Sequence, residues 1–470
     1  MLHTNSIEID LIKKEQRLNP KYFRFYKKRK DLLSNSDFQF YKLGDKFVSR
    51  LVTDGEHQAI SLYDEGKAHA DIRYLYVHNI KTGNIDLVDS NYIAIEDHKR
   101  LNRCKLNKGN VLLTIVGNIG NSAMVYDYLG EANIPRNISK IVVNEKNILP
   151  EFLTVFLLSK FGREQSYYTS GGNIQGLLSL TKAKSMYIPV PKINVQNEIG
   201  ALYIKALECE NKALKLIHDA QKELLKNLSF NFKDIKNPKT YQVKYSKILD
   251  SDSWCQANFN PYYIGIEDAI KHNGDFIDLG TILDIQKGDE IGSKNYIEPR
   301  DAHNNVIPFI RTSNFINYEI DNYPDTLVED FFLESTKQDV KTGDILYTKD
   351  GKIGQVAMVT NEDKFIFCSG INRLRLNEIA LEKYNLTPEY LFTVLSIKEL
   401  GVYQALRYTV IAATIPHLKD NRFNRIIIPV INKKNIENIT HLVKDSFNYK
   451  TQKKQYIKES IEKMNKLLDY

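Results

Sequence analysis

Apolar residues along this chain fall into two textures. Through most of it they come as short Val/Ile/Leu/Tyr runs broken by Gly, Asn or Asp, as in "NVLLTIV", "SAMVY", "DILYT" and "QVAMV". Runs of that length and composition predict β-strands. Two longer apolar stretches open on Pro-Glu, "EFLTVFLLSKFGREQSYY" from Glu151 and "EYLFTVLSIKELGVYQALR" from Glu389, and each predicts a helix. The second texture is breaker-poor. From Val195 to Asn227 there is no proline and a single glycine, and Ile199, Tyr203, Ala206, Ala213, Ile217, Ala220 and Leu224 recur in steps of three, four or seven. From Asn435 onward the stripe returns as Ile436, Val443, Phe447, Ile457, Ile461, Met464 and Leu468, with Lys450 and Lys454 interrupting it. Such stripes predict long helices that bury their apolar faces on each other. At ~1.5 Å per residue, thirty-odd residues make a rod of about 45–50 Å. The alternative is a pair of amphipathic helices, each lying on its own domain.

The textures repeat. "KGNVLLTIVGNIGNSAMV" (Lys108 to Val125) and "TGDILYTKDGKIGQVAMV" (Thr342 to Val359) are near copies, with Gly109 and Gly343, and Gly120 and Gly354, both 234 positions apart. Gly44 and Gly280 are separated by 236, "RNISKIVVN" and "SGINRLRLN" by 233, "PEFL" and "PEYL" by 238, "YIPV" and "IIPV" by 240. "NPKYF" at Asn19 is matched by "NPYY" at Asn260. Ordered anchors at nearly constant spacing predict a duplication. They divide the chain into a lead segment (1–35), a first copy (36–191), a helix (192–230), a connection with the second copy (231–431) and a second helix (432–470). The fold class predicted is α+β: two tandem mixed α/β domains, each followed by a long helix, the two helices pairing as an antiparallel coiled coil.

Composition narrows the function classes. The chain has 470 residues, 26% of them charged, and a net charge of +7, which suits a polyanion partner without requiring one. The four cysteines (Cys104, Cys209, Cys255 and Cys368) form no Cys-x-x-Cys pair, so a disulfide framework or zinc knuckle is not expected and a reducing cytoplasm is. "MLHTNSIEIDLIKKEQ" carries acids where a signal peptide needs an apolar core, and no apolar run approaches the ~20 residues of a membrane span.

Catalytic signatures fail in their details. "NPYY" resembles the Asn-Pro-Pro-Tyr loop of amino-methyltransferases, but Tyr262 replaces the second proline and no Gly-rich strand–helix turn precedes it. "NPKY" has Lys21 at that place, and both stretches read as structural turn signals. "PDTLVEDFFLESTK" imitates a nuclease motif with Thr336 in place of its lysine, and "GDEIGSK" is one residue short of a phosphate-binding loop. There is no His-Glu-x-x-His and no Gly-x-Ser-x-Gly, and the ten histidines show no metal spacing. Neither Gly-x-x-Gly loop is followed by the Lys-Ser/Thr of a nucleotide site; each predicts a strand–turn–strand, with Gly351 and Gly354 setting the turn in the second.

The order of the repeated stretches carries a resemblance. The second copy reads "IPFIRTSNF", "GDILYTKDGKIGQVAMV", "SGINRLRL" and "IPHLKDNRFNRIIIPV"; the first reads "GNVLLTIVGNIGNSAMV", "IQGLLSLTKAKSMYIPVP" and "QNEI". Over nearly the whole chain this resembles the DNA-specificity subunit of type I restriction-modification systems. The resemblance implies two target-recognition domains alternating with two helices and no catalytic centre. It implies a scaffold on double-stranded DNA that recruits two methyltransferase subunits and, through them, restriction (motor-nuclease) subunits. S-adenosylmethionine and ATP would bind only in those partners. Each domain would read half of a split target, and the helices would set the unread spacer. Pro191, Gln196 and Ile199 match the family's helix start; the second copy offers Ile431, Ile436 and Ile439, so the glutamine is lost. The classes set against this reading are a self-contained DNA methyltransferase or nuclease, and a protein-only coiled-coil scaffold.

Readers of base edges are Arg or Lys for guanine and Asn or Gln for adenine. Three loops per copy are candidates. The first holds Arg73 and His78, or Arg311, Thr312, Ser313 and Asn314. The second is the Gly-x-x-Gly loop, with Asn118 and Asn121, or Lys349 and Lys352. The third precedes "IPV": Tyr168, Thr169, Ser170, Gly171, Gly172, Asn173 and Gln175, or Arg407, Tyr408, Thr409 and Thr414. The third is favoured, because Gly and Ser allow close backbone approach while Asn and Gln can read adenine. The basic-aromatic "KYFRFYKKRK" at Lys21–Lys30 is either a phosphate contact or a solvated helix face.

Overall fold

The computed structural model describes residues 9–15, 18–63, 72–171, 176–412 and 415–470. They form two compact units, one made of the chain up to Leu207 with Tyr456–Tyr470, the other of Glu208–Gln455. In the first unit, Ser49–Asp54, Ile138–Val143, Val111–Thr114 and Ser122–Met124 lie in that order in an antiparallel sheet. Ile141 sits opposite both Val52 and Val111, and the two central strands are buried at nearly every position, Ser139 and Lys140 included. A second sheet orders Asn91–Ile93, Ile72–Tyr74 and Ala132–Asn133, the last pair parallel. A third joins Gln39–Lys42 to Tyr187–Val190.

The second unit repeats these three sheets in the same strand order and adds two short strand pairs. Its four-stranded sheet runs Leu283–Lys287, Ile371–Leu376, Ile345–Thr348, Val356–Met358. Leu327–Glu329, Val306–Ile310 and Ile366–Phe367 form the sheet with one parallel pair, and Asp275–Asp278 joins Ile427–Val430. The duplication read from spacing is thus a duplication of hydrogen-bonded topology.

The "NP" stretches are structural, and more specific than turns. Asn19 and Asn260 cap the helices Pro20–Asn35 and Pro261–Asn273, each side chain accepting from backbone N–H groups of the first turn, with proline at the first helical position. Tyr22, Phe23 and Phe25 then turn inward and join the core of the first unit.

Two helices of 35 residues each, Ile193–Asn227 and Lys433–Leu467, account for the stripes. Ile199, Tyr203, Ala206, Ala213, Ile217, Ala220 and Leu224 are all buried, as are Ile436, Val443, Phe447, Ile457, Met464 and Leu468. They pair antiparallel. Glu198 meets Lys463 at 2.8 Å in the first unit. In the second, Ser446 donates to the Ala213 carbonyl and Asn435 to Asn227, so one number rises as the other falls. Lys450, an interruption in the stripe, is fully buried and lies 3.4 Å from the equally buried Glu210. Lys453 reaches the same carboxylate at 2.8 Å, and Lys454 pairs with Asp363 at 2.5 Å. Among the described residues, no helix is long and apolar enough to cross a membrane.

Candidate nucleic-acid interface

In both units the strand before the Gly-x-x-Gly loop ends on a buried threonine that organises the loop. Thr114 Oγ1 donates to the Asn118 carbonyl and accepts from the Asn121 N–H at 3.0 Å. Thr348 Oγ1 donates to the Lys352 carbonyl and accepts from the Gln355 N–H at 2.9 Å. The glycines are needed where φ is positive, 76° and 93° at Gly117 and Gly120, 71° and 90° at Gly351 and Gly354. A Cβ on Gly354 would also lie 2.9 Å from Val402 Cα. With its inner groups bonded to itself, the loop presents its tip outward: Asn118 and Lys352 are exposed.

The other loops converge on this one. In the second unit the Leu418 N–H donates to the Lys349 carbonyl (2.9 Å), Gly351 to Pro416 (3.1 Å), and Lys349 to Gly370 (2.9 Å). His417 Nδ1 lies 2.9 Å from Asp350. A Cβ on Gly370 would stand 3.2 Å from Thr312 and 3.5 Å from Asp350, so the first loop borders the same patch. In the first unit the Leu178 N–H donates to the Ile115 carbonyl (2.9 Å), Ile115 to Asn137 (3.0 Å), and Asn121 Nδ2 to Ile80 (3.2 Å).

The third loop is closed at its base by a glutamine that the sequence reading missed. Gln165 donates to the Tyr187 carbonyl at 3.0 Å and accepts from its N–H at 2.9 Å. Gln404 does the same to Ile427 at 2.9 and 3.2 Å, and both side chains are fully buried. Each clamp ties the helix before the loop to the strand after it. Their separation of 239 positions was the available signal. The segment after the short strands Ala132–Asn133 and Ile366–Phe367 was also missed. It brings exposed Arg136, and its counterpart Ser369 bonded to Glu290, to the border of each patch.

Several candidate residues serve the scaffold instead. Asn314 is buried, and its Oδ1 accepts from the Arg311 N–H at 2.9 Å, the bond that Asn79 makes to Tyr76 at 2.8 Å in the first unit. These two asparagines shape the first loop. Arg407 and Tyr408 are turned inward onto Glu267, whose carboxyl is 1% exposed, so they are held as an internal ion pair and hydrogen bond. Burial pushes the Glu267 carboxyl above the ordinary range even beside that guanidinium. Thr409 is buried, Lys349 is buried next to Asp350, and Arg73 donates to the Leu129 carbonyl at 3.0 Å. Arg311 pairs with Asp325 at 2.7 Å, both about a third exposed, and His78 stacks on Tyr76. Ser313 is exposed, and Thr169 and Ser170 are partly so. Gly172, Asn173, Gln175 and Thr414 lie outside the described residues. Among the described residues no group of His, Cys, Asp and Glu side chains could hold a metal ion.

In both units, then, the loop tips stand on the same internally bonded frame, and parts of the chain are similar to known proteins. Residues 273–463 match the family model of the type I restriction modification DNA specificity domain. The EcoBI specificity subunit of the type I restriction enzyme from Escherichia coli is 31% identical over 128 residues, 27% of this chain and 27% of that protein. The alignment therefore spans about a quarter of that relative's length. The S subunit of the type I restriction-modification system of M. genitalium is 14% identical, with 92% of this chain and 96% of that one covered and a TM-score of 0.32. The HsdS subunit of Thermoanaerobacter tengcongensis gives 13%, 92%, 96% and 0.29.

Proposed function

We infer that this chain is the non-catalytic DNA-reading scaffold of a type I restriction-modification complex. Each unit's loop cluster reads one half of a bipartite target on double-stranded DNA, from the major groove, where the bases are distinguishable. The paired long helices fix the unread spacer and seat two methyltransferase subunits and, through them, restriction subunits; the methyl donor and ATP belong to those partners. One observation carries the reading. Two loop clusters share the same threonine, glycine and glutamine bonds, yet differ in the four residues that lead to their tips, Ile115-Val116-Gly117-Asn118 against Lys349-Asp350-Gly351-Lys352, and at the exposed tip itself Asn118 stands against Lys352. A constant frame with variable tips suits two readers of unlike sequences. The test is co-expression with a type I methyltransferase subunit, followed by mapping of methylated adenines. A motif in two parts separated by a fixed gap is expected, and a continuous motif would contradict the two-reader scheme.

A further inference from the structure

The capped helices Pro20–Asn35 and Pro261–Asn273 start alike and differ in charge. The first carries Lys21, Arg24, Lys27, Lys28, Arg29 and Lys30 against one acid, Asp31; the second carries Glu267, Asp268 and Lys271. Aligned on their caps, Arg24 corresponds to Gly265, Lys27 to Asp268 and Lys30 to Lys271. The face is put to different use in the two units. A Cβ on Gly265 would lie 2.6 Å from Ile235, so in the second unit the connecting segment lies against the helix there. Arg24, Lys27 and Lys30 are exposed instead. Lys28 and Arg29 have aromatic partners, Tyr470 for the first and Tyr26 for the second, each ring about 5.0 Å away.

The cluster does not serve the helix. Like charges three and four residues apart destabilise it by about 0.2–0.5 kcal/mol per pair. No acid stands in the first turn, where one would complement the helix dipole. The helix is also tied to a candidate reading loop. Phe25 stacks on Tyr168 at 5.2 Å, and Thr169 and Ser170 of the third loop follow at once. A spacing of three residues puts a cation about every 4.5 Å along one broad, exposed side of the helix.

We propose that the exposed face bearing Arg24, Lys27 and Lys30 is a sequence-independent contact to the phosphate backbone of duplex DNA, built into the first unit and absent from the corresponding helix of the second. The proposal rests on the DNA-reading function inferred above. It assigns to this helix an anchoring role distinct from base reading: it holds the duplex beside the third loop whatever the sequence.

The test is a salt titration of the full chain on a fluorescein-labelled duplex several turns long and of arbitrary sequence, followed by anisotropy. Replacing Arg24, Lys27 and Lys30 together by Ala should make the slope of log K against log salt shallower by about 2 to 3, at ~0.9 for each phosphate no longer neutralised. The charge-keeping set Arg24→Lys, Lys27→Arg and Lys30→Arg should retain the slope, and Lys271→Ala on the other helix should leave it unchanged. An undiminished slope in the triple-Ala chain overturns the proposal alone, as does an equal loss from Lys271→Ala. Retained slope together with failure to co-purify the methyltransferase would make the face a protein dock and also overturns it. A wild-type chain that binds duplex with no salt dependence overturns both this proposal and the DNA-reading function.

Discussion

The two units fasten the same hairpin to the long helices by different chemistry. In the first unit the Tyr203 hydroxyl donates to the Gly83 carbonyl at 2.9 Å and accepts from the Met124 N–H at 3.1 Å. In the second, Glu210 accepts from Asn317 at 2.7 Å and holds Lys450 and Lys453, while Lys453 also reaches Glu319. Ile80 and Ile85 pair across the first hairpin as Phe315 and Ile320 do across the second, so the backbone being held is the same. One junction is a neutral hydroxyl in an apolar seat; the other is a buried cluster of charges. The first junction satisfies two backbone groups; the second joins the side chains of Asn317 and Glu319, and the Met358 N–H there bonds to the Tyr318 carbonyl instead.

That contrast can be broken at several points, starting with the target itself. On the proposed function, Asn173→Ala with Gln175→Ala should change the half of the methylated motif read by the first unit and spare the other half. Mapping of methylated adenines reads this, and an unchanged motif removes the third loop from the readers. Next comes the buried cluster. Glu210→Ala leaves two buried lysines without their shared anion and should cost about 3–5 kcal/mol in denaturant unfolding. Tyr203→Phe strands only a carbonyl and an N–H, for about 1–3 kcal/mol. Equal costs would show that the charges of the second junction are not desolvated as their burial indicates.

The Gly-x-x-Gly loops offer a smaller asymmetry. An alanine at either second glycine must adopt positive φ, costing about 1–2 kcal/mol. Gly354→Ala should cost more than Gly120→Ala. Its Cβ would meet Val402 Cα at 2.9 Å, whereas that on Gly120 meets a Ser166 Cβ at 3.3 Å. Paired thermal melts check the ranking. The smallest effect is one of pH. Burial raises the Glu267 carboxyl in the folded state, so the folded chain holds a proton that the unfolded chain has released. The stability from this group is fully present below the ordinary glutamate pKa and is lost as pH rises through the raised one. The stability difference between wild type and Glu267→Gln should therefore favour the wild type more at mildly acidic pH than at neutrality.

The parts of the molecule legible in the sequence are those set by spacing along the chain. The offsets between glycines and the "IPV" ends located two copies of one topology, and the stripe from Ile199 to Leu224 located a buried helix face. Residues whose roles depend on distant partners were not legible. Lys450 looks like a flaw in a heptad until Glu210, 240 positions away, is found beside it. Arg407 and Tyr408 look like readers until Glu267 claims both. Asn314 has the side chain of an adenine reader, and its oxygen is spent on a backbone N–H three residues back. Polar residues that close loops and polar residues that could touch bases are chemically the same, and only burial separates them.

The starts of the two long helices carry a last consequence. Gln196 is buried. Its amide donates to the Asn147 and Pro191 carbonyls and its oxygen accepts from the Leu149 N–H, so the helix start is locked to the domain before it. In the second unit Ile436 takes that place in the core, and the polar link is a hydroxyl pair between Thr387 and Thr440 at 2.7 Å. A lock and its key thus lie on opposite sides of the domain–helix boundary, and the two pairs do not match. A chimaera cut at that boundary would set Gln196 against Thr387, or Ile436 against open backbone groups at 147–149. Viable recombinants should be those in which each domain travels with the first two turns of its own helix.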